Sequence, residues 1–175
     1  MVSRRVSLAL LGTGLGGAVL DRAVLRPELQ VRTGVSRLHP ASDRVIADGL
    51  EPDASDSFIT VAPPEATALA GQDAPETVTG ALESAEADRD DRLAVVVQLR
   101  STPDSPRRLQ VRGVDWRGPR TLAVRAQVDE WGSLSSVDTE ERERLRTAAW
   151  LTSTGVWMLS PRPRWAPSRA VLVTE

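Results

Sequence analysis

Gly12, Gly14 and Gly17 stand in the G-x-G-x-x-G spacing that lets a backbone turn close around a pyrophosphate. That chemistry also needs a strand before the turn, a helix after it, and an acidic residue about 20 positions on to hold a ribose. RRVSLALL suits the strand, but the helix would have to be GGAVLDRAVL, which Pro27 cuts short. The next apolar stretch, LQVRTGVSRL, carries no Asp or Glu, and no regular strand–helix alternation follows. A nucleotide-binding, oxidoreductase-like protein built on these glycines is therefore the alternative reading.

The chain has one histidine, His39, in RLHPAS beside a proline turn. A triad needs a base held near a nucleophile and oriented by an acid, and this setting reads instead as a surface or hairpin-flank histidine. Two sets of carboxylates could offer oxygen ligands to calcium: Glu51, Asp53 and Asp56, then Glu83, Glu86, Asp88, Asp90 and Asp91. Neither has the spacing of a calcium-binding loop, and Arg89 and Arg92 inside the second set would repel a cation, so both read as solvated loops. No catalytic residue, metal site or cofactor is expected.

Absent residue types exclude more. With no Cys there is no disulfide framework, thiolate nucleophile or cysteine metal site, and with no Lys there is no Schiff base or phosphate-loop lysine. The net charge of −2 gives no reason to expect nucleic acid or an anionic membrane as partner. Five Trp stand against one Phe and no Tyr, all in the C-terminal half and often near arginines. Such pairs stack on sugars or bind an anionic polymer or a protein partner. Trp150 and Trp157 read as core, and Arg162, Arg164 and Trp165 as the candidate binding surface.

The elements that must position these residues are short apolar segments separated by turn residues. Residues 29–38 alternate as a half-buried strand; RVIADGL ends in the hairpin dipeptide Asp48-Gly49; FITVA (58–62) reads as a buried strand. Prolines introduce two short helices, EATALAG and TVTGALESAEA. Val95, Val96 and Val97 within 92–100 imply a strand covered on both faces. Residues 107–116 place Leu109 and Val111 inward, then shift parity to Val114 and Trp116 across Gly113, the sign of a bulge. Residues 121–128 place Leu122, Val124, Ala126 and Val128 on one face, and these three strands read as a meander. VDTEERERLR is a solvated helix or long loop; TAAWLTSTGVWMLS gives one or two strands and RAVLVTE a last one. The expected fold is mainly β: an antiparallel sandwich or partly open barrel of about seven short strands with two short helices.

Residues 1–24 read differently. Arg4 and Arg5 precede an apolar stretch, Val6 to Leu20, free of charge and ending in small residues such as Gly16 and Ala18. As a helix it would be roughly 22 Å long, short of a bilayer core of about 30 Å. The segment resembles twin-arginine translocation signals: Ser3, Arg4, Arg5 and Leu8 fit that pattern, while Ser7 and Ala9 replace its Phe and Lys. That resemblance implies an export signal carried by Arg4, Arg5 and Leu8; with Ala18 as a small residue before a cut, the segment reads as a helix outside a single β-rich domain of residues 25–175.

The run LESAEADRDDRLAVVVQLRSTPDSPRRLQVRGVDWRGPRTLAVRAQV resembles the small β-rich domain of PrcB-like accessory subunits of secreted protease complexes. The resemblance covers Phe58 to Pro161, with Thr102 to Leu109 in place of that family's Thr-Gly-Gly-Tyr turn. It implies a role in a protease complex, in keeping with an exported, non-catalytic β domain. The expected setting is extracellular or cell-surface, with the export machinery and a protein partner as contacts and no nucleic acid. Membrane contact is confined to residues 6–20 where that segment stays uncleaved.

Overall fold

Val95, Val96 and Val97 are each 0–1% exposed, because the strand that carries them has layers packed on both sides. In the computed structural model, which describes residues 28–50, 56–131, 137–163 and 166–174, that strand is β3 (Leu93–Ser101). The other described strands are β1 (Gln30–Pro40), β2 (Ser57–Val61), β4 (Arg107–Gly118), β5 (Thr121–Glu130), β6 (Leu151–Ser160) and β7 (Arg169–Thr174). Sheet 1 has the order β1-β6-β3-β2 and is antiparallel throughout; sheet 2 has the order β4-β5-β7. The two sheets face each other as a sandwich and do not close into a barrel.

Alternation decides what enters the sandwich core. Leu93, Val95, Val97 and Leu99 of β3 meet Leu109, Val111 and Val114 of β4 and Leu122, Val124 and Ala126 of β5. Each Leu or Val among them contributes about 1.5–3 kcal/mol when fully withdrawn from water. The register of β4 against β5 slips between Val111 and Gly113, which is the bulge that the change of parity predicts.

The other face of sheet 1 is covered by α1 (Glu76–Ala87) and by residues 45–46. Val78, Leu82 and Ala85 recur at helical spacing and press on Ala94, Val96, Val156 and Met158. Pro75 precedes the helix, and Glu76 in its first turn suits the helix dipole. Residues 66–69 form a short 3-10 helix where the sequence suggests an ordinary one. Residues 139–147 form α2, settled as a helix because the Asp138 side chain accepts the Glu141 N–H at 2.9 Å and caps it. A single buried residue, Leu145, pins α2 against Leu38 and Leu151.

Several expectations are corrected. Residues 92–128 are not a meander: β3 lies between β6 and β2 in sheet 1, and only β4 and β5 form a hairpin, in sheet 2. β7 runs parallel to β5, so the sheets are not antiparallel throughout. Asp48-Gly49 turns no hairpin; Ile46 instead makes an isolated bridge to Ala70. β2 is half-buried, because it is an edge strand. Trp150 is 49% exposed and outside the core, whereas Trp157 does pack on the sandwich interior.

Candidate functional site

Along the helix-facing side of sheet 1, apolar residues give way to Gln98, Thr152, Thr154 and His39 where residues 41–50 provide the cover. His39 is 6% exposed, so the expected surface histidine is corrected to a buried one. Its position in β1 opposite Thr152 turns it under the segment that follows, and Val45 and Ile46 anchor that segment in the second core.

Burial requires every polar group here to find a partner, and the partners fix the direction of each bond. The Pro40 carbonyl can only accept, so His39 Nδ1–H donates to it at 2.9 Å. Nε2 is then the acceptor, taking the Thr154 hydroxyl proton at 2.8 Å. Thr154 Oγ1 accepts from Gln98 Nε2 at 2.8 Å, and Gln98 Oε1 accepts the Leu50 N–H at 2.7 Å. The four bonds form a one-way relay from the end of the 41–50 segment to its beginning. Gly49 is required beside it, since a Cβ there would strike Gln98 Oε1.

Burial pushes the His39 pKa below the ordinary histidine value, and the Arg144 guanidinium pushes the same way. The Pro40 hydrogen bond and the Asp43 and Asp73 carboxylates oppose that shift without overcoming it. Around the relay stands an ionic frame. Arg144 Nη2 bonds both Asp43 carboxylate oxygens at 2.8 and 2.9 Å, Arg37 pairs with Glu141 at 2.6 Å, and the Arg44 N–H donates to Asp73 at 2.9 Å. These contacts tie α2 to β1, Asp43 to α2, and Arg44 to the loop before α1.

The segment roofs a cavity of about 380 Å³ with His39, Gln98 and Thr152 in its wall. What the arrangement does chemically is limited by its own bonds. The basic lone pair of His39 is engaged by Thr154, which is 0% exposed and holds no hydroxyl toward solvent. The relay can therefore order the 41–50 segment; as placed, it cannot take a proton from an outside molecule.

The other sequence-derived candidates are dispersed. Arg162 is half-buried, its N–H donating to the Asp91 carbonyl at 2.9 Å, beside Pro63, Pro64, Arg89 and Arg92. Arg164 and Trp165 lie outside the described residues, as do Arg4, Arg5, Leu8, Ala18, the three spaced glycines, Glu51 and Asp53. Glu83 and Glu86 stand on α1 and not in a loop. Glu86 accepts from the backbone N–H and hydroxyl of Thr67, at 3.1 and 2.6 Å, which lowers its pKa. Asp88 pairs with Arg92 at 3.0 Å. Among the described residues no group of three or more His, Cys, Asp or Glu could hold a metal, and no helix is long and apolar enough to cross a membrane.

Trp116 and Trp157 border the sandwich core and Trp131 the small cluster under α2, so the described tryptophans do not share one core cluster. The relay escaped sequence reasoning because its members are separated by as many as 115 positions. The available signal was Gln98, Thr152 and Thr154, polar residues set beside the apolar runs of β3 and β6. Compared with protein-family models, curated proteins and solved structures, the chain finds no match.

Proposed function

We propose that this chain is an exported, non-catalytic domain that acts at the cell envelope as a binding or accessory protein. The observation that carries the non-catalytic part is the state of His39. The chain's one histidine is buried with both ring nitrogens bonded to protein atoms, which suits a structural post and not a proton carrier. The exported part rests on the paired Arg4 and Arg5 before an uncharged apolar stretch.

Fractionation of the producing cell, with N-terminal sequencing of the mature protein, tests the reading. The expected result is recovery outside the cytoplasm, or at the membrane where residues 6–20 are retained. Cytoplasmic protein with Met1 or Val2 intact would overturn it.

A further inference from the structure

We propose that the outer face of sheet 2 is a docking surface for a protein segment that combines carboxylates with apolar side chains. The proposal rests on the binding-protein reading above and names the partner's chemistry. Sheet 1 has α1 and residues 45–46 on its outer side, but no described helix packs on the outer side of sheet 2. Because Leu109, Val111, Leu122, Val124 and Ala126 point into the sandwich, their alternates point out.

Those alternates form an ordered grid. Arg108 stands opposite Asp129, and Gln110 opposite Gln127. Arg125 has Val173 on its other side, and Ala123 has Val171. Thr121 stands beside Arg169. Arg108, Arg112, Arg125 and Arg169 thus face two carboxylates, Asp115 and Asp129, so this face is positive on a chain of net charge −2.

The grid is also pre-organised. Arg112 donates through Nε and Nη2 to Gln127 Oε1 at 3.1 and 2.9 Å, and Gln127 Nε2 donates on to Asp129 at 2.7 Å. Arg125 holds Asp115 at 2.9 Å. Arg108 and Arg169 make no ion pair among the described residues.

Charge complementarity calls for an anionic occupant, and the pattern narrows which kind. Asp115 and Asp129 interrupt the arginines, so a uniform polyanion would meet repulsion at both. Val171 and Val173, the latter 37% exposed, offer apolar contact that a polyphosphate would leave unused. Arginine and apolar side chains together are the composition of a protein-binding face. The face is roughly 30 Å long and 15 Å wide, about half of the ~800 Å² that each partner gives a standard interface. An extended segment laid along the strands fits that size better than a second globular surface.

The test uses the full chain and a fluorescent synthetic peptide of alternating glutamate and valine, as long as β4. Anisotropy titration should give saturable binding that weakens with salt. The R108Q/R112Q/R169Q variant, with its melting temperature measured alongside, should bind roughly tenfold more weakly, as expected for three exposed charge contacts. Absence of saturable binding overturns the proposal, as does undiminished binding by a folded variant. Tighter binding of polyglutamate, of inorganic polyphosphate or of phosphatidylglycerol vesicles also overturns it, assigning the face to a polyanion or a lipid surface. Cytoplasmic retention would sink the envelope reading and leave this face standing; failure to bind the peptide would do the reverse.

Discussion

The indole of Trp157 lies across Gly34, its cross-strand partner, in the space where a side chain at position 34 would stand. The same ring passes beside Gly155, where a Cβ would sit 2.8 Å from Nε1. The two glycines make a shallow seat on sheet 1, and the large ring fills it from the sandwich side. Gly34→Ala should therefore destabilise the fold by about 1–3 kcal/mol, because the rigid ring must move or the strands part. Urea denaturation of the variant checks this; an unchanged midpoint would show that the seat tolerates a methyl group.

Thr154 is the centre of the relay, accepting from Gln98 and donating to His39. Thr154→Val keeps the shape and leaves a buried amide N–H and an imidazole nitrogen without partners. The expected loss is on the order of 3 kcal/mol, since each orphaned group costs about 1–3 kcal/mol. Thr152→Val, on the neighbouring wall of the cavity, should stay within about 1 kcal/mol of the parent. Equal losses in the two variants would contradict the directed relay.

The lowered pKa of His39 has a defined sign in stability. The unfolded chain takes up a proton below pH of about 6.5 that the native state refuses, so stability falls as pH drops beneath that value. The fall ends once pH passes below the native pKa. His39→Gln should flatten the dependence in this window and leave the more acidic region, where Glu86 contributes, unchanged. Denaturation midpoints taken at a series of pH values measure it, and a variant with the parent's slope near neutrality would refute the assignment.

For α2, burial and charge can be separated. Leu145 is 1% exposed, and Leu145→Ala should cost about 2–5 kcal/mol. Arg144 has an exposed side chain, but the Asp43 carboxylate it holds is largely buried, so Arg144→Ala should cost about 1–2 kcal/mol. Thermal unfolding of the two variants ranks them; the reverse order would mean that the ionic frame, and not the single leucine, holds the helix.

Local patterns read correctly where the cause is local. The valines of β3 declare two covered faces, and the parity change at Gly113 declares its bulge, because each depends on neighbours within a few positions. The assignment of strands to sheets was not legible. Periodicity says which side of β3 or β4 is apolar and not which strand lies beside it, so the sandwich crossing between them looked like a meander. Residues 41–50 show the same limit: Asp48-Gly49 has hairpin chemistry, but Val45 and Ile46 are drawn into the α1 layer and leave no second strand to pair. The burial of His39 follows from that folding-over and has no signature in RLHPAS itself.

The pairing of β1 with β6 joins two strands that lie far apart in the chain. The two strands are separated by most of the domain, so the ribosome must deliver β6 before β1 gains its neighbour. A nascent chain halted earlier holds a half-built sheet with open edges, vulnerable to sticking to its like. Such distant partnerships place the refolding rate among those of all-β domains, milliseconds to seconds, well behind helical bundles of similar size.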